Sequence, residues 1–192
     1  MFHNPLPFIE PTGIAGLLVL NPRVYTDERG YFFESYNRRL LEKHGLFYDF
    51  VQDNQAFSKY GVVRGLHYQL EPFEQAKLVR VTQGLVFDVA VDLRGGSPTF
   101  GKWFGILLSD QNKKQLLIPR GFAHGYSVLS PTAEFVYKCD NYYSQKHEAG
   151  IVFNDPLLNI NWQLPEKDML VSEKDRMLAF FTDARYNFSF SG

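Results

Sequence analysis

An all-β jelly roll, built from many short strands with one minor helix, is the fold that this sequence predicts. The chain has 18 Phe and 11 Tyr among 192 residues, and aromatic side chains suit the pleated, half-buried surface of a sheet. Short apolar runs recur at near-regular spacing and are separated by Gly, Pro, Asn and Asp, which favour turns. The clearest run, residues 85–93, has a period of two, as a β-strand does.

The first elements are a hairpin and a short helix. Residues 17–20 read as a short strand, and residues 27–30 (D-E-R-G) as a turn that leads to a second strand over 31–36. Asn37 is a good helix N-cap, and Gly45 a good stop for the helix that follows. The chain therefore opens with a predicted hairpin and one helical turn or two.

The later elements are a series of strands and a looser tail. In residues 85–93 the apolar positions 85, 87, 89, 91 and 93 share one face, whereas Asp88 and Asp92 lie on the other. Beyond about residue 155 the mixed polarity predicts short helical turns that pack back on the sheets, all within a single domain, 1–192. The remaining strands are predicted at 77–82, 102–108, 115–118, 123–129 and 133–138.

Composition excludes several classes of function. The formal net charge is -1, so no general basic field exists to bind nucleic acid or an anionic membrane, and a few local Arg and Lys must meet any anionic ligand. Cys139 is the single cysteine, which excludes an internal disulfide and a thiolate zinc site and favours a cytoplasmic location. Residues 1–10 lack the pattern of a signal peptide, and no run is long enough to predict a membrane span.

His67, in the stretch V-V-R-G-L-H-Y-Q (62–69), is the first candidate for catalysis. A histidine can take and return a proton near neutrality, although a histidine here could also simply close a strand. The cations Arg64 and Lys77 favour a base that generates an anion. Strict alternation would put Arg64 and His67 on opposite faces, so we expect a bulge or bend at Gly65.

His124 is the second candidate. Residues 119–124 (P-R-G-F-A-H) resemble half of a cupin metal motif, but residues 67–69 (H-Y-Q) lack the second histidine of the other half. Metal sites of this type need three or four ligands, which makes metal binding the weaker interpretation. His124 is then either a hydrogen-bonded histidine in the barrel wall or a ligand contact. Tyr137 lies on an apolar strand face and by itself is typical of core packing.

A resemblance to a known family covers most of the chain, from about residue 19 to 175. The sequence resembles the dTDP-4-dehydrorhamnose 3,5-epimerases, which are isomerases of deoxysugars. The motifs that carry it are D-E-R-G-Y-F-F-E-S-Y-N (27–37), V-Q-D-N (51–54), V-V-R-G-L-H-Y-Q (62–69), K-L-V-R-V (77–81), V-F-D-V-A-V-D-L-R (86–94), I-P-R-G-F-A-H-G (118–125), A-E-F-V-Y-K (133–138) and S-E-K-D (172–175).

The resemblance implies a cupin-like jelly roll with a few short peripheral helices, which works as a homodimer on a nucleotide sugar without metal or cofactor. It implies His67 as the base, Asp175 as the group that orients it, Tyr137 as the acid on the opposite face of the sugar, and Lys77 beside the keto oxygen. The implied substrate contacts are Arg29, Glu34, Gln52, Asn54, Arg64, His124, Glu148, Lys174 and Tyr143, the last by stacking on thymine.

The implied reaction inverts C3 and C5 of dTDP-4-dehydro-6-deoxy-D-glucose, in dTDP-rhamnose biosynthesis. A proton α to a ketone can be removed by a base of near-neutral pKa when a cation stabilises the enolate, and a donor across the ring then inverts the carbon. His67, Lys77 and Tyr137 are the residue types that this chemistry needs. The alternatives are a single-carbon epimerase or ketoisomerase on another 4-keto sugar nucleotide, a metal-dependent cupin enzyme, and a non-catalytic sugar-binding jelly roll.

Overall fold

Two β-sheets packed face to face make up most of the computed structural model, which describes residues 8–190. Residues 1–10, in which the sequence shows no signal-peptide pattern, therefore lie mostly outside the described residues. The strands are β1 (Ile9–Pro11), β2 (Leu18–Leu20), β3 (Tyr25–Asp27), β4 (Gly30–Phe32), β5 (Gln52–Lys59), β6 (Val62–Gln69), β7 (Lys77–Gln83), β8 (Leu85–Asp92), β9 (Trp103–Ser109), β10 (Gln115–Ile118), β11 (Phe122–Val128), β12 (Thr132–Cys139), β13 (Glu148–Gly150) and β14 (Leu170–Val171), and the α-helices are α1 (Arg38–Lys43) and α2 (Glu173–Arg176).

The strand order is that of a jelly roll. The first sheet has the order β1-β2-β10-β7-β12-β5, and the second has β13-β6-β11-β8-β9 with β14 parallel to β6. From β5 to β13 the chain changes sheet at every step except from β8 to β9, which pair in the second sheet, as strands of a double-sheet Greek key do. The predicted all-β jelly roll is confirmed, and its two α-helices are short. No helix within residues 8–190 is long and apolar enough to cross a lipid bilayer.

The apolar core lies between the two sheets and continues on their outer faces. Val79, Val86, Leu116 and Phe135 are fully buried between the sheets. The outer face of the second sheet is covered by the C-terminal segment, which buries Trp162 among others and confirms that the tail packs back. The outer face of the first sheet is partly covered by α1 and its neighbours. Burial on both faces is what lets so many short strands hold together.

Both faces of β8, the clearest predicted strand, are buried, but against different layers of the protein. Its apolar positions 87, 89 and 91 pack under the C-terminal segment. Asp88 and Asp92, on the other face, are both fully buried. A carboxylate that loses water this completely needs partners. Asp92 accepts hydrogen bonds from Arg94 and Ser97, and Asp88 contacts a histidine described below.

The opening hairpin differs from the prediction. The turn at 27–30 joins β3 to β4, whereas the strand predicted at 17–20 is β2, which pairs with β1 and β10 in the first sheet. The prediction paired the wrong strands because β2 buries its side chains in the sheet, whereas β3 and β4 are exposed. The helix is confirmed: the Asn37 side chain accepts a hydrogen bond from the Leu40 N–H, and Gly45 follows with φ of +77°.

Candidate active site

A cavity of about 280 Å³ opens between the two sheets and contains most of the predicted site residues. Those that line it are Gln52, Asn54, Arg64, His67, Lys77, His124, Tyr137, Tyr143 and Glu148. A larger hollow of about 430 Å³ lies on the outer face of the first sheet, where Arg80 and Lys138 help to line it. That hollow contains no histidine, so the cavity between the sheets is the candidate active site.

His67 and Asp175 form a hydrogen-bonded pair at one wall of the cavity. His67 Nε2 lies 2.8 Å from Asp175 Oδ1, and the Gly65 N–H donates to Asp175 Oδ2 at 3.3 Å. Asp175 comes from α2, whose N-cap Ser172 accepts a hydrogen bond from the Asp175 N–H. Burial raises the pKa of the Asp175 carboxyl, but the bonds from His67 and Gly65 outweigh it and hold that pKa below its usual value. Asp175 is therefore an anion that orients the ring of His67.

Gly65 is the centre of a β-bulge that puts Arg64 and His67 on the same side. His67 lies opposite His124 of β11, and Arg64 lies opposite Tyr126, so two residues of β6 face one residue of β11. Gly65 has φ of +120°, and a Cβ there would lie 2.6 Å from the Cα of Gly125. The bulge expected at Gly65 is confirmed, and both side chains line the cavity.

Lys77 and Tyr137 line the cavity from the opposite sheet. The Lys77 Nζ lies 5.9 Å from the centre of the Tyr137 ring, and it makes no hydrogen bond or ion pair with any residue from 8 to 190. Burial lowers the pKa of Lys77, against the opposing effects of Cys139 and Asp88. Burial also raises the pKa of Tyr137 to about 12, so the phenol keeps its proton. This wall thus presents a lysine amine and a protonated phenol to the wall that carries His67.

His124 is buried, hydrogen-bonded and part of the cavity wall at once. Its Nε2 lies 2.9 Å and 3.1 Å from the two oxygens of Asp88, and its ring stacks on Phe135. Burial lowers the pKa of His124, whereas the neighbouring Asp88 carboxylate raises it and only partly offsets the effect of burial. Within residues 8–190 no three His, Cys, Asp or Glu side chains cluster as metal ligands would. Sequence analysis did not predict that Asp88 is the partner of His124. The signal in the sequence was a charged residue within an otherwise apolar strand.

Arg64 is held at the cavity by two hydroxyl groups that sequence analysis also missed. Its Nε donates to Ser58 Oγ at 3.2 Å, and Ser58 Oγ lies 3.4 Å from the hydroxyl of Tyr126. Tyr126 in turn stacks on Phe135 with ring centres 4.3 Å apart. The guanidinium N–H donors that no residue from 8 to 190 uses are left for an anionic group at the cavity.

A polar cluster forms the rim of the cavity. Glu148 accepts a hydrogen bond from the Tyr143 hydroxyl at 3.0 Å and from the Lys174 ammonium at 2.7 Å. Burial raises the pKa of Glu148, but these two bonds outweigh it and hold the pKa below its usual value. On the other side of the rim, Gln52 donates to Asn54 at 3.0 Å. Lys174 does not itself line the cavity but reaches it through Glu148.

Arg29 and Glu34 are the two predicted contacts that the fold of one chain does not bring to the cavity. Arg29 lies in the β3–β4 turn, where its side chain is 85% exposed and pairs with Asp27 at 2.6 Å. Glu34 accepts a hydrogen bond from Asn37 at 2.9 Å. Their proposed role stays a prediction, and within a single chain neither residue lines the cavity.

Comparisons with known proteins place the chain in a family. Residues 11–183 match the family model described as dTDP-4-dehydrorhamnose 3,5-epimerase. A dTDP-4-dehydrorhamnose 3,5-epimerase of Shigella flexneri is 54% identical over 176 residues, which cover 91% of this chain and 96% of that protein. The crystal structure of such an enzyme from Elizabethkingia anophelis is 51% identical, with a TM-score of 0.87 over 91% of this chain and 96% of that one.

A further crystal structure includes a ligand. It is a dTDP-6-deoxy-D-glucose-3,5-epimerase from Legionella pneumophila in complex with dTDP-4-keto-L-rhamnose, 48% identical, with a TM-score of 0.87 over 91% of this chain and 93% of that one. The fold, the facing side chains of His67 and Tyr137, and these similarities over nine-tenths of the sequence point to one conclusion. The chain belongs to the dTDP-4-dehydrorhamnose 3,5-epimerase family.

Proposed function

We propose that this protein converts dTDP-4-dehydro-6-deoxy-D-glucose to dTDP-4-dehydro-L-rhamnose by inverting C3 and C5, a step of dTDP-rhamnose biosynthesis. The observation that carries the proposal is a base, His67, and an acid, Tyr137, on facing sheets of one cavity. Inversion of a carbon requires removal of a proton on one face and delivery on the other. A pair of groups on opposite walls supplies both, with the sugar between them.

Each inversion proceeds through an enolate. His67 takes the proton of a carbon next to the C4 ketone, and the electrons of the C–H bond pass to the ketone oxygen. The ammonium form of Lys77, which has no ion pair among residues 8–190, stabilises the negative charge on that oxygen. Tyr137 then gives its proton to the carbon from the opposite face. C3 and C5 flank the same ketone, so one set of groups serves both carbons.

Asp175 prepares His67 for this step. Its carboxylate stays ionised because the hydrogen bonds from His67 and Gly65 outweigh its burial. The anion fixes the ring and stabilises the imidazolium that forms when His67 takes a proton. After each inversion His67 returns a proton to solvent and Tyr137 regains one, so the enzyme ends as it began and needs no redox cofactor.

The remaining residues of the cavity hold the nucleotide. Arg64 is placed for the diphosphate because its guanidinium has free donors. Tyr143, an aromatic ring at the rim, is placed to stack on thymine. The polar contacts left for the sugar and nucleotide are Gln52, Asn54, His124, Glu148 and Lys174.

A homodimer accounts for Arg29 and Glu34. The β3–β4 hairpin exposes Tyr31 and Phe32, with Phe32 69% exposed, although it carries a predicted substrate contact. Exposed aromatic side chains of this kind are typical of a protein interface. We therefore propose that the hairpin of one subunit reaches the cavity of its partner, where Arg29 binds the substrate.

Two broader expectations from the sequence remain part of the proposal. The first is that residues 1–192 form a single domain, which is supported by the packing of the C-terminal segment and of α1 on the two sheets. The second is a cytoplasmic location, which is supported by the single, buried, unpaired thiol of Cys139.

Deuterium incorporation tests the proposed function. The protein is incubated with dTDP-4-dehydro-6-deoxy-D-glucose in deuterated water, and the product is examined by NMR. We expect the L-rhamno product with deuterium at both C3 and C5. Deuterium at one carbon alone would identify a single-carbon epimerase, and deuterium at neither would reject proton transfer at these carbons altogether.

A further inference from the structure

The side-chain amide of Gln69 is bound to the two loops that border the cavity. Gln69 ends β6, is 6% exposed and lines the cavity. Its Nε2 donates to the carbonyl oxygens of Phe73, at 2.7 Å, and Tyr142, at 3.2 Å. Its Oε1 accepts from the Ser144 N–H at 2.6 Å. One buried amide thus satisfies three backbone groups of two loops.

A second glutamine, Gln52, binds the backbone of the same loop, which contains residues 142–144. Gln52 Oε1 accepts a hydrogen bond from the Tyr143 N–H at 3.1 Å. Residues 142–144 belong to no helix or strand, so their backbone N–H and C=O groups lack the regular hydrogen bonds that a sheet or helix would give them. Gln69 and Gln52 therefore hold three consecutive residues, with Tyr143 in the middle.

The Tyr143 side chain needs such support. It is 56% exposed at the rim, and among residues 8–190 it makes a single hydrogen bond, from its hydroxyl to Glu148. A ring on an irregular segment must lose conformational freedom when it stacks on a base, and a backbone that is already fixed reduces that loss. Gln69 can provide this because its own burial leaves it little freedom.

We propose that Gln69 is a positioning residue for nucleotide recognition, which holds the backbone on both sides of Tyr143 so that the ring is ready to stack on a nucleobase. The inference rests on the proposed function in one respect, the stacking role of Tyr143. It assigns to the last residue of β6 a part in binding, three positions after the buried Leu66 and two after the base His67.

A double-mutant cycle on dTDP binding tests the proposal. Affinity for dTDP is measured by calorimetry for the wild type, Gln69→Leu, Tyr143→Ala and the double variant. We expect each single variant to bind dTDP roughly tenfold more weakly, a loss of the size that base stacking gives. The double variant should bind no more weakly than Tyr143→Ala alone, because without the ring there is nothing to position. Turnover of Gln69→Leu should show a larger change in KM than in kcat.

A matched control lies in the next turn of the same loop. Gln145 is exposed and its side chain makes no hydrogen bond with residues 8–190, so Gln145→Leu should bind dTDP as the wild type does. If Gln69→Leu fails to fold, Gln69→Glu takes its place in the cycle. The carboxylate keeps the shape and the acceptor for Ser144 but cannot donate to the carbonyl oxygens, so we expect the same loss.

The outcomes separate the inference from the proposed function. Full dTDP affinity in Tyr143→Ala would overturn the stacking role and the inference with it. Weak binding in Tyr143→Ala but full affinity in Gln69→Leu would overturn the inference alone. Fully additive losses in the double variant would also overturn it, because Gln69 would then act independently of the ring.

Discussion

At the scale of single residues, burial acts on three ionisable groups of the cavity in ways that suit one reaction. It keeps the proton on Tyr137, whose pKa rises to about 12, and it lowers the pKa of Lys77. Burial also raises the pKa of Asp175, but the hydrogen bonds from His67 and Gly65 outweigh this effect and keep the carboxylate ionised. The site thus holds a protonated phenol, a lysine amine of lowered pKa and a histidine oriented by a carboxylate.

Lys77→Gln tests the cation. Loss of the charge beside the ketone oxygen should lower kcat by about 10²- to 10³-fold, the usual cost of one group that stabilises an oxyanion. Because burial lowers the pKa of Lys77, the alkaline limb of the wild-type rate should begin at a lower pH than an exposed lysine would give. That limb should be absent from Lys77→Gln. Lys102→Gln, at an exposed lysine outside the cavity, should leave both rate and profile unchanged.

Asp175→Asn tests the anion through stability. The pKa of Asp175 is lower in the folded protein, so its ionised form contributes stability that is present above the unfolded pKa, near 3.8, and is lost as pH falls through the folded pKa. Urea unfolding should show the variant less stable than the wild type at pH 7, with a gap that narrows below about pH 4. Asp49→Asn, at a side chain that is 76% exposed, should show little gap at either pH. A gap for Asp175→Asn that stays constant down to pH 3 would contradict this account.

The sequence predicts the candidate reacting groups but not all of their hydrogen-bond partners. Resemblance to the family placed His67, Lys77, Tyr137 and Asp175 together, and the structure brings them to one place. Ser58 precedes its partner Arg64 by only six residues, but β5 and β6 belong to different sheets, so no strand pairing predicts their contact. Asp88 was missed because contacts between distant strands depend on register. His124 and Asp88 are 36 residues apart along the chain, and no local pattern links them.

At the scale of elements, β6 is the strand on which the site depends. Its bulge turns Arg64 and His67 to the same cavity, and the positions between and beside them still pack into the core under the C-terminal segment. An irregular strand thereby serves both the core and the site. Alternation by itself would have put one of the two side chains outside.

Gly65→Ala tests the bulge. A Cβ at this position would lie 2.6 Å from the Cα of Gly125 and 2.7 Å from the carbonyl oxygen of His124, at a φ of +120°. We expect a loss of roughly 2–4 kcal/mol in the free energy of unfolding and a loss of activity in whatever folds. Gly45→Ala has a positive φ but no atom within 4 Å of the new Cβ, and should cost only about 1–2 kcal/mol. Equal losses in the two variants would contradict the importance of close packing at Gly65.

β5 shows why one strand escaped prediction. Its inward positions are 52, 54, 56 and 58, of which three are polar, because this end of the strand faces a cavity and not the apolar core. Without an apolar alternation, a strand has no sequence signal of period two. The part of the fold that forms the site is thus the part that the pattern predicts least well.

At the scale of the whole molecule, the site depends on three layers at once. The two sheets supply facing walls, and the C-terminal layer supplies Asp175 through α2, which lies behind β6. The sequence predicted the jelly roll and the return of the tail from composition and spacing. It could not show that the β3–β4 hairpin would stay away from the cavity of its own chain.

Mixed dimers test whether Arg29 acts in the partner subunit. Arg29→Ala and His67→Asn should each be nearly inactive, the first through substrate binding and the second through loss of the base. If the subunits exchange at random, a mixture should regain about one quarter of wild-type activity, because half of the dimers contain one complete site of two. No gain on mixing, under conditions in which subunit exchange is verified by mass, would place Arg29 in the site of its own chain or outside any site.

The measurement that tests the central claim most directly is solvent exchange at C3 and C5, followed by NMR in deuterated water for the wild type, His67→Asn and Tyr137→Phe. Tyr137→Phe keeps the ring that packs 6.0 Å from Phe135 and removes the donor. It should therefore exchange the substrate protons through His67 while inversion falls by about 10²- to 10⁴-fold. His67→Asn should neither exchange nor invert. Deuterium incorporation by His67→Asn at the wild-type rate would contradict the assignment of His67 as the base.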